Sequence, residues 1–411
     1  MSLEDVNKET LFGYYRILEL ADEKGVYSGN LLGGLGADVV KIEPPGGDKT
    51  RSWPPFLRDE VHPEKSLYFL NFNTNKRGIT LNLEHEDGRE IFKQLVKTAD
   101  AVVETFPAGY MESLGLDYPV LKEINPGLVM CSITPFGQTG PYRNYKACDL
   151  VNMAMGGFMQ ICGEADEPPV RLGGEQSFIA GSYWAAAAIA MALFYRETSG
   201  KGQYIDISIQ EASIPFLQDK LVHQHWALAK INLGRYGNWS PAIMPWGGFP
   251  CKDGWVFIGV VTPKEWDDFS QWVYDWGGDK EMLNAMYKGG TYARASYVDI
   301  LGRLITEFTK RYTKEELFTG GQKRGIVVLP VYTAEDIANC SQLESQQFFI
   351  EADHPVAGRL KYPRGPFYCD DAPWKLRRPA PLLGEHNEEI YCQELDISKE
   401  ELALLRGGGI I

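Results

Sequence analysis

The stretch RILELADEKGVYSGNLLGGLGADVVKIE, residues 16–43, decides the architecture. "RILEL" (16–20) is a short run dominated by large apolar residues, as expected of a strand covered on both faces. "GVYSGNLLGGLG" (25–36) reads as a short helix closed by glycines, and "DVVKIE" (38–43) as a second strand. Strand, helix, strand in so few residues predicts a parallel pair joined by a right-handed crossover. The glycines come in the wrong order for a dinucleotide site. That fingerprint places them between a strand and the helix that follows, so that the helix start faces a pyrophosphate. Here they end a helix and lead into a strand, and the turn after the first strand, "ADEKGV", holds one glycine.

The alternation continues outward. Strands are expected at "GITLNL" (78–83), "AVVET" (101–105), "LVMCSIT" (128–134) and "QYIDISI" (203–209). Helices are expected over "EDGREIFKQLVKTA", near "YPVLKEI", over "DLVNMAMGGFM", over residues 177–195 and over "QEASIPFLQDKLVHQHWALAK". This is an α/β pattern, with a parallel sheet between helices and ligands at the rim formed by the strands' C-terminal ends. Near residue 235 the texture changes. "GGFPCKDGWVFIGVV" reads as a hairpin turning at Lys252-Asp253-Gly254, followed by helices over "PKEWDDFSQWVYDW" and "ASYVDILGRLITEFTKRY". A large domain over 1–234 plus 331–411 and a small one over 235–330 are expected, with the proline-rich 373–384 as a strap.

The 411 residues carry a net charge of −14, which argues against nucleic acid or anionic membrane as a partner. An anionic ligand then needs a local basic cluster. The seven cysteines are scattered and form no C-x-x-C pair, a pattern of reduced thiols in the cytoplasm. The most apolar run, "AAAAIAMALFY" (185–195), is too short to span a bilayer. His223 and His225 are two apart on an expected helix and do not share a face, so no metal site is expected. A G-x-S-x-G elbow is absent.

"NFNTNKRGITLNL" (71–83) is more informative. Lys76 and Arg77 follow an asparagine-rich turn, and Arg51 in "GDKTR" stands near the same expected rim. Adjacent cations there could hold phosphate, and Asn75 could bond an adenine or an amide. A solvated turn is the alternative. If Lys76 holds phosphate, its replacement raises the Michaelis constant for the ligand more than it lowers turnover.

Several segments together resemble the class III CoA-transferases of the formyl-CoA and carnitine-CoA type (the CaiB/BaiF family). They are "GADVVKIEPPGGDKTRSWPPF", "SLYFLNFNTNKRGITLNL", "ADAVVETFPAGYMESLGLDY", "NPGLVMCSITPFGQTGPY", "RETSGKGQYIDISIQEA", "KDGWVFIG" and "APLLGEHNEEI". The resemblance implies a Rossmann-like large domain completed by both chain ends, a smaller α+β domain, and two interlocked subunits. It implies acyl-CoA and a small carboxylic acid as substrates, with no tightly bound cofactor. The coenzyme A contacts it suggests are Lys76, Arg77, Asn75, Arg51 and Phe106. The family uses a nucleophilic aspartate just before a small-residue helix. Here that region reads "RLGGEQSFIAGSYWAAAA" (171–188). Counting forward from Pro168-Pro169 places Glu175 on the position; counting back from Gly202-Gln203 places it near Ser177 or Phe178. No aspartate lies between residues 167 and 205, so Glu175 is the expected nucleophile, with helix capping as its alternative role. Asp149 is the second candidate, or an N-cap of its own helix. The catalytic histidine of related racemases is replaced by Cys148, which speaks against racemisation. Ser113 and Thr134 stand where some relatives carry an arginine and a lysine. A non-catalytic subunit paired with an active homologue, or an isomerase on this fold, are the alternative functions. Trp53, Phe56, Tyr142, Phe158 and Trp184 hint at an aromatic pocket.

Overall fold

The computed structural model describes residues 10–216, 225–240 and 242–411. They form two compact units, one of residues 10–157, 173–216 and 344–411 and the other of 158–172, 225–240 and 242–343.

The first unit is built on a six-stranded parallel sheet. Its strands are β1 (Arg16–Leu20), β2 (Asp38–Glu43), β3 (Lys76–Thr80), β4 (Ala101–Glu104), β5 (Val129–Thr134) and β6 (Tyr204–Ser208). Their order is β3-β2-β1-β4-β5-β6, the doubly wound Rossmann order. Ile17 pairs with Val39 on one side and Ala101 on the other, so β1 is central.

Alternate residues of the strands serve two cores. Leu18, Val40, Ile79, Val102 and Met130 pack beneath the amphipathic helix Glu86–Val96, through Phe92 and Leu95. Ile17, Val39, Ala101, Val129 and Ile133 face the other way, against helix α1 (Val26–Gly34) and the long helix Gln176–Ser199. By length and composition the long helix could cross a membrane. Here Phe178, Ala185, Ile189 and Leu193 are buried in the core, which makes it a core helix of this fold. Burying an isoleucine such as Ile189 completely contributes about 1.5–3 kcal/mol. The alanines let this backbone lie close to the sheet.

The chain's end closes this unit. Ile397, Leu402, Leu405 and Ile410 join the first core, and Asn82 N donates to Ile410 O at 2.7 Å. The proline-rich strap lies along α1 and β3: Lys375 N bonds Gly34 O, and Asn75 N bonds Arg378 O, each at 3.0 Å. A hairpin of Phe349–His354 and Gly358–Pro363, which the sequence reading passed over, belongs here too.

The second unit holds a three-stranded antiparallel sheet, in which Trp246–Cys251 and Gly254–Gly259 form the expected hairpin and Val327–Pro330 adds the third strand. Helices Pro263–Asp275 and Val298–Thr309 pack on it through Trp266, Trp272, Leu304 and Phe308.

Two expected helices are cut short. The helix begun at Asp149 ends at Met155, because Gly156 and Gly157 (φ +91°) turn the chain before Phe158–Ile161. The long helix expected from residue 210 is α-helical over Ile209–Ser213 and meets Pro215 two residues later. His223 lies outside the described residues, and His225 opens a short π-helical turn.

Candidate active site

Crossovers leave β1 and β4 in opposite directions, so their C-terminal ends form the topological switch point where ligands of such sheets bind. The two loops there are tied together. Asp22 N donates to Thr105 Oγ1 at 2.9 Å, and Thr105 Oγ1 donates to Asp22 Oδ1 at 2.8 Å. Gly25 lets them approach: a Cβ at this position would stand 2.7 Å from Ile133 Cδ1 and 2.8 Å from Thr105 Cγ2.

Beside this switch point lies a cavity of about 340 Å³. Its walls are largely aromatic, from Tyr27, Trp53, Tyr68, Phe72 and Phe178. The rings pack on one another, with centroids 5.2 Å apart for Trp53–Tyr68 and 4.7 Å for Tyr68–Phe72. Two carboxylates enter this wall, Glu23 from the loop after β1 and Glu175 from the start of the long helix.

Glu175 is the residue before helix Gln176–Ser199, preceded by Gly174 at φ +77°. Its side chain makes no capping hydrogen bond to that helix. Instead Oε2 accepts a hydrogen bond from Tyr68 Oη at 3.0 Å. Burial and the neighbouring Glu175 charge push the Tyr68 phenol well above its ordinary range, so Tyr68 stays a donor. The capping is done by Asp149. Its Oδ1 accepts from Ser177 N at 3.0 Å and Ser177 Oγ at 2.7 Å. Asp149 thus caps the neighbouring long helix rather than its own, which has no side-chain cap from Cys148. That cap fixes the backbone that carries Glu175. The helix start is also the positive end of its dipole, a suitable place for negative charge.

The cations expected at a phosphate lie elsewhere. Lys76 is fully buried and donates to Glu19 Oε1 at 2.7 Å, Val26 O at 2.8 Å and Asn73 Oδ1 at 3.1 Å. Arg77 pairs with Asp38, Glu389 and Glu394. Arg51 makes a bidentate pair with Glu43, a third bond to Glu64, and lies 3.8 Å over the Phe69 ring. Asn75 bonds the strap through Lys375 O and Arg377 N. These four residues spend their polar groups inside the protein, so the phosphate and amide contacts read from the sequence give way to a framework role. Phe106 is half-buried at the end of β4, packed on Tyr110 with centroids 4.8 Å apart. Of the five aromatic residues singled out in the sequence, Trp53 lines the cavity, whereas Trp184 bonds Ala212 O and Tyr142 packs on Phe136 and Tyr145.

Sequence reading missed Glu23 and Tyr68. The available signal was the charged triplet Asp22-Glu23-Lys24 immediately after the first strand, where a ligand loop belongs.

A second cavity, about 360 Å³, lies over β4, β5 and β6, lined by Glu104, Ser132, Gln138 and Tyr204 among others. Burial pushes the Glu104 carboxyl up to about 7, although Ser132 and Phe106 N bond to it. The folded state therefore holds this proton more tightly than the unfolded chain. Its contribution to stability is full below the ordinary glutamate range and is lost as pH rises through about 7. On the order of 3 kcal/mol is at stake. Urea unfolding should show wild-type stability falling, relative to Glu104→Gln, between about pH 5 and pH 8. Parallel pH profiles for the two proteins would refute this.

Comparison with known proteins gives a consistent answer. Residues 16–387 match the family model described as CoA-transferase family III. The chain is 32% identical over 394 residues to the succinyl-CoA:(R)-benzylsuccinate CoA-transferase subunit BbsE of Thauera aromatica, covering 93% of this chain and 94% of that one. It is 33% identical over 412 residues to formyl-CoA:oxalate CoA-transferase of Streptomyces coelicolor, covering 96% and 98%. The crystal structure of a CAIB/BAIF family protein from Brucella suis, 32% identical, superposes with a TM-score of 0.83 over 92% of this chain and 98% of that one.

Proposed function

The chain belongs to CoA-transferase family III, and from that premise we propose that it moves coenzyme A from an acyl-CoA to an organic acid by way of Glu175. A Glu175 oxygen attacks the donor thioester, the C–S bond breaks, and a mixed anhydride forms as the CoA thiolate leaves. The thiolate then attacks the glutamyl carbonyl, releasing the donor acid and leaving a glutamyl-CoA thioester. The acceptor carboxylate attacks that thioester, giving a second anhydride. The returning thiolate attacks the acceptor's carbonyl and frees Glu175. Each step exchanges one activated carboxyl for another, so none is far uphill. Backbone N–H groups at the helix start suit the oxyanion that develops.

The observation that carries this reading is the placement of Glu175: on the wall of an aromatic cavity, bonded to Tyr68, and not used as a cap. An acid with an aromatic or branched body suits those walls, and succinyl-CoA is the donor named for several relatives. We extend the proposal to Phe106 as a coenzyme A contact, to two interlocked copies as the working unit, and to the cytoplasm as the compartment, which suits seven free cysteines.

A second reading makes the chain the partner of an active homologue. It is favoured by the Thauera relative's being named as a subunit and by glutamate in place of the family's aspartate. Expressing the chain alone separates the two. With succinyl-CoA and a panel of acids including benzylsuccinate and oxalate, the first reading expects new acyl-CoA thioesters. Exchange that arises only on adding a homologous subunit would overturn it.

A further inference from the structure

Glu23 faces the same cavity as Glu175 and has no part in the steps above. Its side chain is 10% exposed. Oε1 accepts a hydrogen bond from Lys49 Nζ at 2.8 Å, while Oε2 is buried with no partner among the described residues. An unsatisfied buried acceptor of this kind costs on the order of 1–3 kcal/mol, more when charged. The surroundings explain which relief is open to it. Asp22 and Lys24 flank it on its own loop, Lys49 reaches it from the turn Lys49–Ser52, and Tyr27, Tyr68 and Glu175 face it from the other walls. Lys49 is shared with Asp22 at 3.0 Å. The cluster therefore holds three carboxyls and two ammonium groups before any substrate arrives. An entering acid adds a further negative charge to a largely aromatic space. One proton held between two carboxyls removes that repulsion and supplies a donor at the same time.

We propose that Glu23 seats the substrate acid: in its protonated form it donates Oε2–H to the carboxylate of the acid in the cavity and holds it opposite Glu175. Burial, with the Asp22 charge behind it, pushes the Glu23 carboxyl above the usual glutamate range, the direction this role needs. In the transfer the acceptor keeps one oxygen on Glu23 and attacks the glutamyl thioester with the other. The C–S bond breaks, the CoA thiolate leaves, and the proton stays on Glu23. The proposal takes from the function above that this cavity is where the acid binds; seating the acid does not require Glu175 to be the nucleophile, whereas the transfer step just described does.

The consequence is proton uptake on binding. Above the Glu23 pKa the dissociation constant of an acid should rise about tenfold per pH unit. Calorimetric titration of the full chain with succinate, in buffers of different ionisation enthalpy, reads the protons taken up directly. Above the Glu23 pKa, located by the pH profile of the dissociation constant, wild type should take up about one proton per succinate bound. Glu23→Gln, whose amide still donates, should take up none and should bind at every pH with the affinity wild type reaches at its acid limit. Glu175→Gln should still take up the proton. Failure of wild type to bind succinate, binding without proton uptake, or uptake that persists in Glu23→Gln would overturn the assignment. Failure of Glu175 as the nucleophile would appear instead in turnover, which this titration does not use.

Discussion

Replacing Glu175 with glutamine should lower CoA exchange by about 10³-fold or more, the scale on which loss of a covalent nucleophile is felt. The amide oxygen can still accept the Tyr68 hydrogen bond, and the Asp149–Ser177 cap is untouched. The variant should therefore unfold in urea at the wild-type midpoint. Glu175→Asp should retain measurable exchange, because the carboxylate is kept and shortened by one methylene. Steady-state kinetics with succinyl-CoA and an accepted acid check both. A glutamine variant turning over near the wild-type rate would remove Glu175 from the chemistry.

The second large effect is on stability. Lys76 is buried between Glu19, Asn73 and the Val26 carbonyl, and burial pulls its pKa down to about 8. Lys76→Met leaves Glu19 with Lys41, whose Nζ lies farther away at 3.7 Å. Breaking one side of a buried pair costs about 3–5 kcal/mol. Urea unfolding should show that loss, and Lys76→Met combined with Glu19→Gln should recover much of it, since no uncompensated charge is left behind. The Michaelis constant for acyl-CoA should stay unchanged in the folded fraction. Unaltered stability with a raised Michaelis constant would return Lys76 to a phosphate.

That residue shows where sequence reading stops. The strands "RILEL" and "DVVKIE" were legible to the residue, because apolar runs between turn signals depend on local pattern. The third strand was read as 78–83 and is Lys76–Thr80. Its two leading cations looked like a loop because their partners, Glu19 and Asp38, come from strands far away in sequence. Spacing says that a charge is present; it does not say whether an acid meets it across a sheet. The same limit hid Asp149, whose capping target is a helix that begins after another loop. Glu175 stood out in the sequence because two independent cues met there, the acid before a small-residue helix and the resemblance of the flanking segments, and the structure sets it at that helix start on the cavity wall. Glu23 and Tyr68 needed the folded cavity, since nothing local links the loop after β1 to the helix Leu67–Phe72.

The central claim is that Glu175 is transiently acylated. Incubating the protein with succinyl-CoA, trapping with hydroxylamine and sequencing the peptides by mass spectrometry tests it most directly. The account predicts a hydroxamate on Glu175 that requires succinyl-CoA and is missing from Glu175→Gln. A hydroxamate on Asp149 or any other carboxyl, or a fully active preparation with no modified peptide, would contradict it.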